Sequence, residues 1–146
     1  LATEMTLTSS LFNQTSNKFS DNIEIIEQIG FGLVDLIEKG GVNTEKTKQL
    51  LKSYLDPMLD SNIDQLVLGC THYHFLVPII RKIIPKEITI QDPNKVIAKQ
   101  IKKILNRENL GNPLKNSYKN KVYVNGNTEI IKNIINSNGE VNFLDF

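Results

Sequence analysis

The chain has 146 residues, 40% hydrophobic and 23% charged. This is the composition of an ordinary globular domain able to bury roughly 70% of its unfolded surface, and it excludes disordered, collagen-like and low-complexity classes. Lys and Arg number 17 against 16 Asp and Glu, a formal charge of +1 with the lysines scattered, which argues against nucleic acid as the main partner; no apolar run approaches the ~18 residues of a membrane span. A single cysteine forms no internal disulfide, which sets aside small secreted scaffolds and points to a reducing compartment, the cytoplasm.

The sequence opens at Leu1 without an initiator Met, a basic stretch before an apolar segment or a small-residue cleavage site. It reads as a fragment or processed piece rather than a signal peptide. Ile23, Ile25 and Ile26 form a strand-like patch after Ser20-Asp21-Asn22, and a turn at Gly30 and Gly32 follows. Leu33, Val34, Leu36 and Ile37 then start a helix that Gly40-Gly41 should stop. From Asn43 or Thr44 as N-cap, Leu50, Leu51, Tyr54, Leu55, Met58 and Leu59 have the spacing of an amphipathic helix, which Pro57 should bend or end.

Gln65 to Gly69 is a short apolar run expected of a strand covered on both faces. Phe75, Leu76, Ile79, Ile80, Ile83 and Ile84 return to helical spacing, with Pro78 restricting where that helix starts. Ile88 and Ile90 mark another strand, and Val96, Ile97, Ile101, Ile104 and Leu105 another helix. Alternation of this kind predicts an α/β fold, a parallel sheet flanked by helices. Asn106 to Asn120 reads as a polar linker. Beyond it come a strand at Val122-Tyr123-Val124, a turn at Asn125-Gly126-Asn127, a short helix from Ile130 to Ile135 and an extended segment from Val141 to Phe146.

The chemically dense point is Gly69-Cys70-Thr71-His72-Tyr73-His74, where a strand ends and a helix is about to begin. Ligands of parallel α/β sheets bind at the carboxyl ends of strands. A cysteine there is a base, a nucleophile or a small buried hydrophobe. If the backbone stayed extended, Cys70, His72 and His74 would share a face and suggest a three-ligand metal site, although such closely spaced ligands on one strand seldom reach one ion. A Cys-His hydrolase is a further option, without a visible oxyanion-hole signature.

Leu66-Val67-Leu68-Gly69-Cys70-Thr71-His72-Tyr73 resembles the second-cysteine motif of the glutamate racemase family, within the aspartate/glutamate racemase superfamily. Ala2-Thr3-Glu4-Met5-Thr6 with Ser9 is similar to that family's Thr-x-x-Thr segment. Leu33 to Gly40 looks like its helix ending in Glu-x-Gly, Ile90-Gln91-Asp92 with Val96-Ile97-Ala98 like its Ile-Asp-Ser-Gly strand and following helix, and Val122 to Asn127 like its C-terminal Phe-Tyr-Thr-Ser-Gly-Asp turn. The departures are Ile29-Gly30-Phe31 in place of Ala-Cys-Pro, His74 in place of Pro, and Pro93-Asn94 in place of Ser-Gly.

The resemblance is to the C-terminal half of a two-lobed, pseudo-symmetric enzyme that inverts glutamate without a cofactor, using two cysteines to supply D-glutamate for peptidoglycan. It implies that residues 1–94 form most of the second lobe, with Cys70 at the end of a central strand, and that residues 95–146 return toward the N-terminal lobe. It also implies Cys70, His72 and Glu38 as catalytic residues, and Thr71, His72, Thr3 and Thr6 as contacts to the substrate, with no metal. The other half of the enzyme would be the partner, a homodimer is a further expectation, and this half alone is expected to be inactive. Read without the resemblance, Glu38 is a solvated residue near a helix end, Thr3 and Thr6 are turn or N-cap hydroxyls, and Asp92 caps the helix starting near Pro93. An aspartate racemase, or a degenerate racemase-like domain that only binds a dicarboxylate or a partner chain, stays open beside the glutamate enzyme.

Overall fold

The computed structural model describes residues 1–111, 121–135 and 139–146. In chain order it contains α1 (Glu4–Leu7), α2 (Ser10–Phe19), α3 (Leu33–Glu38), α4 (Glu45–Asp60), β1 (Gln65–Val67), a 3₁₀ helix (Thr71–Leu76), α5 (Val77–Ile83) and β2 (Thr89–Gln91). These are followed by α6 (Pro93–Arg107), β3 (Lys121–Val124), α7 (Thr128–Ile135) and β4 (Glu140–Phe143). Most of the expected linker, residues 112–120, lies outside the described residues.

β1 and β2 pair in parallel, Leu66 opposite Ile90. Ala2 extends this surface through parallel bridges to Gly69 on one side and Ile29 on the other. The Gly69 amide donates to Leu1 O at 2.9 Å and the Gly30 amide to Ala2 O at 2.9 Å. The spatial order is therefore Ile29, Ala2, β1, β2, all running the same way. Their carboxyl ends bring Gly30, Thr3, Cys70 and Asp92 to one edge.

The core is one cluster containing Leu33 and Ile37 of α3, Leu51, Leu55 and Met58 of α4, Leu66 and Leu68, Tyr73 and Leu76, and Ile79 and Ile80 of α5. Removing a fully buried leucine such as Leu55 from a core of this kind costs about 2–5 kcal/mol. α3 begins at Leu33 and ends in a paired turn: Gly40, at φ 73°, donates its amide to Ile37 O at 2.9 Å, and Gly41 donates to Leu36 O at 2.7 Å. A left-handed glycine satisfies the last carbonyls in this way, and it leaves Glu38 at the helix end. Thr44 is the N-cap of α4, its hydroxyl accepting from the Thr47 amide.

Three expectations are corrected. The strand-like patch at Ile23–Ile26 is not a strand; Ile23 and Ile25 are exposed, and only Ile29 makes a bridge. Pro57 does not end α4, which runs to Asp60. Leu55 and Met58 are buried on either side of it, so tertiary packing outweighs the lost hydrogen bond. β1 is not covered on both faces, since Leu66 is buried while Val67 is 56% exposed; Gln91 donates to Gln65 at 2.8 Å across that open face. Residues 71–76 coil into a 3₁₀ helix, in keeping with a helix beginning where the strand ends, and the extended alternative does not hold.

α6 contains no buried residue: Ile97, Ile101, Ile104 and Leu105 are all exposed. β3 and β4 pair in parallel, Val122 opposite Val141, with α7 between them in sequence. The Asn127 side chain caps α7 by accepting from the Glu129 amide at 2.9 Å. Tyr123, Phe143, Leu144 and Phe146 are exposed apolar residues of this C-terminal strand-helix-strand.

Candidate active site

Cys70 follows β1 in an extended conformation (φ −144°, ψ 137°) and is the N-cap residue of the 3₁₀ helix. In a 3₁₀ turn, residues three apart share a side. Tyr73 and Leu76 are both fully buried, and that pair fixes the rotation of the helix. His72 consequently swings beside Cys70, and His74 turns elsewhere.

The Cys70 sulfur lies 3.9 Å from His72 Nδ1, and His72 Nε2 lies 3.1 Å from Glu38 Oε1. Glu38 thus comes from the end of α3 to meet a histidine 34 residues later (72 − 38). The His72 side chain is 37% exposed and that of Glu38 59%, so solvent reaches the group. An Nε2–H donating to the carboxylate leaves neutral Nδ1 as a lone-pair acceptor toward the thiol; a protonated ring would donate from Nδ1 to a thiolate. The arrangement can therefore pass one proton between sulfur and imidazole.

Thr3 and Thr6 lie against the same edge. Thr3 caps α1, its hydroxyl accepting from the Thr6 amide and lying 3.0 Å from the Thr6 hydroxyl. The Thr6 hydroxyl donates to Gly69 O at 3.1 Å, one residue before Cys70. The capping role read from residue type is present in Thr3. Thr71 is exposed at the start of the 3₁₀ helix, next to Cys70.

The metal reading loses its geometric premise. Cys70, His72 and His74 do not share a face, because His74 Nδ1 faces Asp92 Oδ2 at 2.7 Å. Among the described residues, no group of three or more His, Cys, Asp or Glu is arranged to hold a metal ion. Asp92 does cap α6, its Oδ1 accepting from the Asn94 amide at 3.0 Å.

Two features were not anticipated from sequence. Tyr73 donates its hydroxyl to Gly30 O at 3.0 Å, and Tyr54 donates to Phe31 O at 2.9 Å, so two tyrosines hold the turn leading into α3. Burial raises the Tyr73 hydroxyl well above the usual tyrosine range, with Cys70 and Tyr54 adding to it, and it stays a donor. A β-carbon at Gly30 would sit 2.5 Å from the Tyr73 oxygen, which explains the glycine. The second feature is a cleft of about 480 Å³ between Glu38, His72 and Phe75 on one side and Tyr123, Asn125 and Asn127 on the other.

No protein-family model matches the sequence. Over 110 residues the chain is 37% identical to the glutamate racemase of Pseudomonas syringae pv. tomato, an alignment covering 75% of this chain and 40% of that protein. Over 105 residues it is 42% identical to the glutamate racemase of Ralstonia pickettii, covering 72% and 37%. The chain thus spans about 40% of the length of these relatives. Its fold matches a glutamate racemase isoform of Bacillus anthracis with a TM-score of 0.80 at 21% identity, covering 99% of this chain and 56% of that one. It also matches the Escherichia coli glutamate racemase, solved with L-glutamate and the activator UDP-MurNAc-Ala, with a TM-score of 0.77 at 21% identity, covering 98% and 56%. By sequence the chain is similar to the C-terminal part of glutamate racemases, and its fold is that of the solved glutamate racemase structures.

Proposed function

We propose that this chain supplies one of two acid/base groups with which a cofactor-independent racemase interconverts L- and D-glutamate. The observation that carries the reading is the Cys70–His72–Glu38 series at the carboxyl end of β1, in a chain related to glutamate racemases. Inversion of an α-carbon removes a weakly acidic proton from one face and returns a proton to the other, so an acid and a base must flank the carbon. Cys70 is the base, or in the reverse direction the acid, on one face. His72 exchanges a proton with its sulfur, and Glu38 orients the imidazole. Thr71, with Thr3 and Thr6, binds the substrate carboxylates.

The chain has one cysteine, so the second group comes from the part of the protein that precedes it in the relatives. Residues 1–94 would form most of one lobe, and residues 95–146 would return toward the other. The buried apolar core ends at Ile88 among the described residues, and the exposed apolar side chains of α6 and the C-terminal unit suit that division. The product would be D-glutamate for peptidoglycan, made in the cytoplasm, by an enzyme that forms a homodimer. Aspartate would share the catalytic plan and differ in the pocket; the glutamate racemase relatives favour glutamate. Among the described residues no helix is long and apolar enough to cross a membrane.

The test compares this chain alone, the complete protein, and the chain mixed with the missing half. Circular dichroism follows inversion of L-glutamate, and deuterium uptake from D₂O follows α-proton exchange. The chain alone should do neither; the complete protein should do both, and the mixture should recover part of the activity. A complete protein that binds glutamate without exchanging its α-proton would make this a binding domain, and robust racemisation by the chain alone would defeat the two-group argument.

A further inference from the structure

The 2.7 Å contact between His74 Nδ1 and Asp92 Oδ2 joins the segments that leave the carboxyl ends of two adjacent parallel strands. His74 lies in the 3₁₀ helix after β1, two residues beyond His72; Asp92 directly follows β2 and caps α6. The Asp92 side chain is 12% exposed and the His74 ring 46%. The two carboxylate oxygens have different tasks, Oδ1 accepting from the Asn94 amide and Oδ2 facing the imidazole. Burial alone would raise this carboxyl. The hydrogen bonds from His74 and the Asn94 amide, with the attraction of His74 and Lys95, outweigh it and hold the group below its ordinary value.

A six-residue 3₁₀ helix is a weak element, with strained hydrogen bonds and little cooperative length. On its inner side Tyr73 and Leu76 are locked in the core. On its outer side His74 is tied to the start of α6, as His72 is to the end of α3, and the His74 ring also meets Phe75 edge-on with centroids 5.4 Å apart. A small rotation of this helix would carry His72 away from the Cys70 sulfur, which lies at the long end of hydrogen-bonding range at 3.9 Å.

We propose that His74 and Asp92 are positioning residues, a clasp that holds the 3₁₀ helix against the start of α6 and so keeps His72 aligned between Cys70 and Glu38. The assignment of catalytic roles rests on the function proposed above; the clasp itself rests on the geometry. His74 acts here through a hydrogen bond donated from Nδ1, which either a neutral or a charged ring can provide. A neutral donor of similar reach should therefore replace it.

The test uses the thiol as reporter, since Cys70 is the single cysteine of this chain. Alkylation by iodoacetamide at pH 7.5 is timed in the unmodified chain, His74→Ala, His74→Gln and Asp92→Asn. Asparagine caps helices as well as aspartate does, so Asp92→Asn weakens the clasp while sparing the cap. We expect alkylation to slow about threefold in His74→Ala and Asp92→Asn and to recover in His74→Gln. In the complete protein, kcat should fall about tenfold in the first two variants with KM changed less than twofold, and recover in the third. Unchanged alkylation in both His74→Ala and Asp92→Asn would overturn the clasp, whatever happens to their melting temperatures. An absence of racemase activity in the unmodified complete protein, with the alkylation pattern as expected, would remove the proposed function and leave the clasp standing.

Discussion

His72 Nε2 lies 3.1 Å from Glu38 Oε1, and this contact decides what the other ring nitrogen presents to Cys70. With Nε2–H committed to the carboxylate, Nδ1 is free to accept the thiol proton. Glu38→Gln keeps the shape and removes the charge that favours this tautomer and stabilises the imidazolium. Loss of an effective proton-transfer partner costs about 10²–10⁴-fold, and the lower end is expected because the pair is solvated. Steady-state kcat should fall about 100-fold in both directions. Stability should change by under about 1 kcal/mol, as for other exposed ion pairs. Unchanged kcat would remove Glu38 from the mechanism.

The Tyr73 hydroxyl and Gly30 O, 3.0 Å apart in the core, give a stability prediction independent of chemistry. Tyr73→Phe leaves the carbonyl with the longer bond from the Leu33 amide, at 3.4 Å, with no change in packing shape. The expected cost is about 0.5–1.5 kcal/mol, read in urea as a lower midpoint with an unchanged slope. A midpoint equal to that of the unmodified protein would show that water replaces the hydroxyl.

The depressed Asp92 carboxyl predicts a pH-dependent difference. A group whose folded value lies below its unfolded one stabilises the fold above the ordinary aspartate value of 3.8, and that contribution is lost as pH falls through the folded value. Asp92→Asn should therefore be less stable than the unmodified chain at pH 7, and the gap should close on acidification below about pH 4. Urea unfolding at pH 7 and pH 3 reads it; a gap that is constant or widens in acid would contradict the stated direction.

Much of this was legible in the sequence, for identifiable reasons. α3 and α4 were marked by local signals, Gly40 after the last apolar position and Thr44 before the first charged turn, and such signals act without tertiary help. Ile23 and Ile25 misled because β-branched residues are only a weak prior when no neighbouring strand pairs with them. The apolar stripe of α6 reads like a core face yet lies exposed. α1 and α2 escaped notice because their apolar periodicity is poor; Thr3 and Ser9, each accepting from an amide three residues on, were the available signal. At the site, Cys70, His72 and Glu38 do converge. Only the structure could show that His74 turns away, since alternation along a strand fails once the backbone coils. The Tyr73–Gly30 contact spans 43 residues, and no local pattern encodes it.

The central claim is that Cys70 is one of two groups acting on opposite faces of the α-carbon. It is tested most directly in the complete protein carrying Cys70→Ser. A serine hydroxyl is a far weaker acid than a thiol, so even beside His72 it is not held as the anion that removing this proton requires. Loss of α-deuterium is followed separately from D- and L-[2-²H]glutamate in ordinary water, together with inversion of each. Inversion should be lost in both directions, with any remaining exchange confined to one enantiomer and carried by the group on the opposite face. If both enantiomers lose deuterium as fast as with the unmodified protein, Cys70 is not one of the two bases.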